Sequence, residues 1–324
     1  DGCPVATRPQ ETFEKSDVFT ERLDDTKSFY EGFKDVLAEV YDITLEDLSY
    51  KTAYDIFDLV NVASIHNESS PAIDVTDDDL AQLRTLADSS EFGKAFDKDH
   101  PDHSIGARTL IAGIMAQLNE TVATDAALKF SLLAGSYDTM LGFFGVTGLA
   151  DLSDDFKGLP DYASTLAFEV FTEGDEDDFP GNTNDLHVRF LFQNGTSGDL
   201  TAFPLFGAEE DTYSWPAFED KMRGLEIATV GEWCGMCESE QPFCAAYGVG
   251  SKGIKEGMSG EIKGGIAMIV IGGVALLAGV LFFVLAVRRG MGAGAGTAAA
   301  GVGAGAAVEK GSMYSGSASG DSRV

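Results

Sequence analysis

The sequence is poor in positive charge. Its 324 residues hold 22 lysines and arginines against 53 aspartates and glutamates, a formal net charge of −31. A surface of that sign repels a polyphosphate backbone, which excludes nucleic acid as a partner. It suits an acidic compartment or a cell wall, where carboxylates partly protonate, and it equally serves plain solubility. Histidine is scarce: His66, His100, His103 and His187 make up the set, and none of them follows an arginine. Cysteine is limited to Cys3, Cys234, Cys237 and Cys244, an even number that points to disulfides in an oxidising space. The start, Asp1-Gly2-Cys3, carries no initiator methionine, no basic n-region and no apolar h-region.

One stretch lacks charge altogether. Gly264 to Val287 reads GGIAMIVIGGVALLAGVLFFVLAV, and a bilayer core needs about 20 apolar residues in a helix. Arg288 and Arg289 follow at once, a basic flank of the cytoplasmic kind. Ala275 and Gly279 form a small-xxx-small pair inside the span. After residue 265 the only acidic residues are Glu309 and Asp321, so nearly all the acidic excess lies before the span. The sequons at Asn67, Asn119 and Asn194 and all the cysteines lie on that side too. These features predict a glycosylated type I membrane protein with its acidic ectodomain outside the cytosol, at the plasma membrane or cell surface or in a vacuole. Such a topology needs a signal peptide, so a further segment is expected upstream of Asp1. Oligomeric state stays open.

The chain divides by character. Residues 1–125 read as a mainly helical region and 126–247 as a sheet region of α/β type. A Gly/Ser/Lys-rich linker covers 248–263, the span 264–287, and a Gly/Ala/Ser tail 288–324 whose composition builds no core. Phe29, Phe33, Val36, Leu37 and Val40 recur at helical spacing and predict a helix over Ser28–Tyr41. Thr44 before Asp47 and Thr76 before Asp79 resemble capping boxes and predict helices near 45–65 and 77–90. A further helix is predicted over Ser104–Leu118. Leu128–Gly135 is a short apolar run of the buried-strand kind, followed by the polar elbow Ser136-Tyr137-Asp138-Thr139 and a helix start at Met140–Val146. Ser164–Phe171, Leu186–Gln193 and Leu200–Phe206 read as strands, with the acidic run Glu173–Asp178 as a turn lacking the EF-hand pattern for calcium.

Chemistry concentrates at the elbow. A strand ending in a carboxylate beside a helix N-terminus is an anion site, and a carboxyl group there serves as a general acid if its pKa is raised. On spacing alone Asp138 reads as a helix cap. Trp233-Cys-Gly-Met-Cys237 has redox-motif spacing, but a third cysteine follows at Cys244 and the reading is structural disulfides. Four cysteines allow three pairings. The expected one is Cys237–Cys244 with Cys3–Cys234, with a partner upstream as the alternative for Cys3. His100-Pro-Asp-His103 reads as a solvated polar loop, so no metal and no cofactor is assigned. Arg108, near the start of a helix, is left without a role.

The elbow is followed in order by Gly158-Leu-Pro-Asp-Tyr-Ala-Ser164, a Phe168-Glu169 strand, Val188-Arg189 and Asn194-Gly195. This order resembles the C-terminal part of the histidine acid phosphatases, the fungal acid phosphatase and phytase branch of the histidine phosphatase superfamily. The resemblance is good over about 104–245, weaker over 3–100 and absent from 248 on. It implies the C-terminal part of a phosphoglycerate-mutase-like three-layer fold with a helical subdomain. It also implies hydrolysis of a phosphorylated small-molecule substrate. There a histidine in an Arg-His-Gly-x-Arg-x-Pro motif attacks phosphorus, arginines hold the phosphate, and the aspartate of a His-Asp pair protonates the leaving oxygen. By position Asp138 is that proton donor. No Arg-His-Gly occurs in this chain, so the nucleophile is expected upstream. Tyr137 stands where the family has histidine, which weakens phosphate binding, since a phenol is neutral at acid pH. The alternative is a non-catalytic phosphatase-like binding or structural protein of the cell surface. If sheet strands lie upstream, an apolar edge beside Leu128–Gly135 is expected to be exposed.

Overall fold

A computed structural model describes residues 2–38, 43–44, 46–66, 75–172 and 179–249. Helices dominate the first half. After a 3-10 turn at Pro4–Thr7 come α1 (Arg8–Glu14), α2 (Asp17–Glu31) and α3 (Lys34–Ala38). Ser16 opens α2 by accepting the Phe19 N–H at 3.2 Å. The single helix predicted over Ser28–Tyr41 is divided at Gly32, yet Phe33 and Leu37 are buried as their spacing required. Thr44 N–H and Oγ1 donate to Asp47 at 2.9 and 2.7 Å, half of a capping box, but this closes a turn. The helix predicted from about 45 begins only at Ala53, as α4 (Ala53–His66). α5 (Asp77–Ala95) starts on the predicted cap, with the Asp79 N–H on Thr76 Oγ1 at 3.1 Å. α6 (Ile105–Ala123) follows, five residues longer at its end than its apolar stripe.

The second half adds α7 (Tyr137–Val146), α8 (Leu149–Leu152), β1 (Thr165–Thr172), β2 (Leu186–Gln193), β3 (Thr201–Ala202), β4 (Thr212–Ser214), α9 (Trp215–Leu225) and α10 (Val230–Met236). β1 and β2 pair antiparallel over their whole lengths, from Thr165 opposite Gln193 to Thr172 opposite Leu186. β3 and β4 both pair antiparallel with β2. The strand predicted over Leu200–Phe206 is reduced to the two residues of β3. The architecture is thus mixed helix and sheet, with the sheet antiparallel among the described residues.

One hydrophobic core joins the two halves. Alternate residues of a strand share a face, and Leu186, Val188 and Phe190 of β2 are buried. Phe143 of α7 lies over that face, with ring centroids 6.1 Å from Phe168 and 5.7 Å from Phe190. Phe218 of α9 reaches Phe168 at 5.9 Å. Gly145 is a glycine because a Cβ there would sit 2.3 Å from the Phe96 ring. The helical and sheet regions are therefore not separately cored, and every described residue lies in one compact unit.

Leu128–Gly135 departs from its prediction. It belongs to no sheet among the described residues, and Phe130 and Leu132 are each 78% exposed. It is held along α6 by Thr121 Oγ1 donating to Leu128 O at 2.9 Å and Ser131 Oγ donating to Gln117 Oε1 at 2.9 Å. The exposed apolar surface expected there is present, but it belongs to the run itself. No described helix is long and apolar enough to cross a membrane, and the predicted span 264–287 lies outside the described residues, as does the acidic turn 173–178.

Candidate functional site

The elbow forms where the run Leu128–Gly135 meets the first turn of α7. Tyr137 is half-buried and locked. Its ring packs on Tyr54 of α4 at 4.5 Å between centroids, and its hydroxyl donates to Glu91 Oε2 of α5 at 3.0 Å. Glu91 in turn accepts from Lys94 Nζ at 2.8 Å, and both side chains are largely buried. Burial and the Glu91 carboxylate hold the Tyr137 phenol well above its ordinary pKa, so it stays a neutral donor. Asp138 is exposed and turned back on its own helix, its Oδ1 accepting the Thr139 N–H at 2.7 Å. A carboxylate in the first turn of a helix is favoured by the helix dipole.

The Pro-Asp-Tyr-Ala loop is clamped to α5 beside the elbow. Asp88 Oδ1 accepts the Leu159 N–H at 2.8 Å and Arg84 Nε at 2.9 Å, and Arg84 reaches Asp161 Oδ1 at 3.0 Å and the Leu159 carbonyl. Burial pushes the Asp88 carboxyl up from its ordinary value despite these donors. Tyr162 donates to Asp58 at 2.6 Å, and that carboxylate pushes its phenol up to about 12. Asn194 Oδ1 accepts from the Asp161 N–H at 2.8 Å and Ser164 Oγ at 3.0 Å, so the Asn-Gly turn fastens the far end of the same loop. The Val-Arg strand places Arg189 on Glu169 at 2.6 Å, across the β1–β2 pair. Among the described residues no arginine or lysine makes an ion pair or hydrogen bond to Asp138, and no histidine partners either elbow residue. Glu91, Tyr54 and Asp58 were not singled out from the sequence, and Tyr162 entered only as part of the Pro-Asp-Tyr-Ala segment.

The cysteines form two disulfides, with pairings that correct the expected ones: Cys3–Cys237 and Cys234–Cys244. The reason is α10, which the sequence signalled through Thr229 and Glu232, a capping box the structure completes. The helix places Cys234 in its last turn facing the 3-10 turn of Cys244 and leaves Cys237 at its C-cap facing Cys3. Neither member of the Cys-x-x-Cys pair bonds the other. Of the sequon asparagines, Asn119 is half-buried on α6, Asn194 is exposed, and Asn67 lies outside the described residues. Asn194 engages its neighbours through Oδ1, so its Nδ2, the sequon's glycan-acceptor atom, is not used in those bonds. Arg108 acts as a brace, donating from Nε to Leu225 O at 2.7 Å and from Nη1 to Asp102 O at 3.2 Å. A scan against family models finds no match to this chain, and a search of curated proteins finds none either.

Proposed function

We propose that this chain is the C-terminal part of a histidine-acid-phosphatase-like ectodomain, anchored in a membrane by Gly264–Val287. In this reading the complete protein hydrolyses phosphate monoesters. Asp138 protonates the leaving oxygen, and the nucleophilic histidine and phosphate-holding arginines come from sequence upstream of Asp1. The observation that carries the reading is the state of Leu128–Gly135. It leads into the elbow with no strand beside it among the described residues, and Phe130 and Leu132 are bare. An apolar run with unpaired backbone is a template for further strands. Strands supplied from upstream would complete a three-layer α/β sheet and bring the nucleophile to the exposed face of Asp138. The acidic surface, the sequons and the two disulfides fit the cell surface or a vacuole.

The test is p-nitrophenyl phosphate turnover by the complete ectodomain at pH 4–6. Turnover that falls by roughly 10²–10⁴-fold in Asp138→Asn is the expected result. An upstream coding sequence without Arg-His-Gly-x-Arg-x-Pro would sink the reading.

A second reading has its own observation. Tyr137 occupies the position of the family's histidine, and its hydroxyl is committed to Glu91 rather than left for a substrate. This favours a non-catalytic surface-binding relative. It would be supported by an inert wild-type ectodomain that gains activity on Tyr137→His, and excluded by robust wild-type turnover.

A further inference from the structure

The connection from α5 to α6, residues 97–104, holds chemistry that the elbow does not use. His100, Asp102 and His103 each present a ligand atom, and these atoms all lie within 4.8 Å of one another. The backbone puts them there. Pro101–His103 form a single 3-10 turn, closed by the His103 N–H on His100 O at 3.0 Å and the Ser104 N–H on Pro101 O at 3.3 Å. That turn stacks the two imidazoles, with centroids 4.9 Å apart and planes 20° from parallel.

Among the described residues, two buried polar atoms in the same connection lack a hydrogen-bond partner: His103 Nδ1 and Asp97 Oδ2. The other oxygen of Asp97 accepts the Asp99 N–H at 2.9 Å. Buried polar groups are nearly always satisfied, and an orphan nitrogen on one of the three clustered residues suggests an ion or its shell. The local charge is negative. Asp97, Asp99 and Asp102 lie in the turn, its one lysine, Lys98, is drawn off to Asp151 at 2.8 Å, and the Arg108 guanidinium is spent on backbone carbonyls.

We propose that His100, Asp102 and His103 bind one zinc ion, with water completing a tetrahedron. Two imidazoles and a carboxylate are donors that zinc accepts, whereas calcium and magnesium need a shell of oxygens. Zinc legs of about 2.0–2.1 Å set the donors about 3.4 Å apart, so the donor atoms must close in by about 1 Å. His100 and Asp102 are exposed side chains that rotate to do so. The site sits at a junction. Ile105, just beyond the turn, packs with Val5, Ile227 and Cys237 beside the Cys3–Cys237 disulfide. The Ile227 N–H also donates to Arg108 O at 3.1 Å. Zinc here stiffens the turn beside the place where the first residues, α6 and α10 meet, so its effect is on stability. None of these residues belongs to the elbow, and the proposal does not rest on the phosphatase-like reading.

The experiment titrates zinc chloride alone into the full chain in detergent, followed by calorimetry and thermal unfolding. The expected result is one zinc per chain and a rise in Tm. Affinity should fall at least tenfold in His103→Ala, and likewise in His100→Asn and Asp102→Asn, whose exposed positions keep the test valid if His103→Ala misfolds. Circular dichroism of the variants should match the wild type. Calcium and magnesium should leave Tm unchanged. Failure to saturate near one zinc, equal affinity in the His100→Asn/His103→Asn double variant, or a calcium response as large as that of zinc would each overturn the proposal.

Discussion

Leu128–Gly135 and Leu186–Gln193 are near equals as sequence. Each is a short apolar run with a single lysine or arginine, and each reads as a strand. The second became β2, paired with three other strands, and its Val188 and Phe190 are fully buried. The first stayed open, with two large side chains mostly in water. The difference teaches that a strand is a property of a pair. Apolar content prepares a run for a sheet, but only neighbours at hydrogen-bonding distance satisfy its backbone. β2 has such neighbours close by in sequence, and the described residues offer none to the first run.

The contrast between a closed and an open part of the molecule can be tested from both sides. The largest effect belongs to the closed part. Cys3–Cys237 spans 234 residues and Cys234–Cys244 spans 10. Chain-entropy arguments put their contributions at ~5 and ~3 kcal/mol. Cys3→Ser/Cys237→Ser should therefore lower the unfolding free energy in urea more than Cys234→Ser/Cys244→Ser, and the reverse order would contradict the assigned pairing. Next in size, Phe190→Ala should cost about 3–5 kcal/mol, whereas Phe130→Ala should stay within about 0.5 kcal/mol. Equal losses in chemical denaturation would mean that the run is not open.

At the elbow, where open run meets closed body, Tyr137→Phe should cost about 1–2 kcal/mol by thermal unfolding, because Glu91 loses a buried donor. A neutral result would show that the bond to α5 does not fasten the elbow. The smallest effect is pH. Burial raises the carboxyl groups of Asp88 and Glu226 in the folded chain above their ordinary values. Each is therefore protonated more readily when folded than when unfolded. As pH falls from neutral through those raised values, their desolvation penalty is relieved and stability should rise slightly. Asp88→Asn should flatten its share of that rise. The lowered Asp47, Asp151 and Glu232 act oppositely, losing their contribution only as pH drops below the ordinary carboxylate range.

Much of the fold was legible because its signals are local. Thr76 capped α5, the apolar stripe from Ile105 gave α6, and short apolar runs bounded by turn residues gave β1 and β2. The site was legible only as a position. Tyr137-Asp138 at a helix start follows from the elbow, but the bond from Tyr137 to Glu91 joins residues 46 apart in sequence, and no spacing rule reaches that far. The disulfides erred for a related reason: without α10, whose capping signal was present and unread, the directions of Cys234 and Cys237 are undefined. His100, Asp102 and His103 read as a solvated polar loop in the sequence, because a string of residues does not show that one 3-10 turn gathers their donor atoms.

The sequence by itself determined the acidic charge, the uncharged run 264–287, the places where local caps and periodicities begin helices, and the apolar faces available for burial. These depend on composition and on contacts within a few residues. Tertiary structure alone decided which cysteines meet, that Glu91 holds Tyr137, and which of two similar runs becomes a paired strand. Each depends on bringing distant segments to within bonding distance, and that is settled by how helices and sheet share one core.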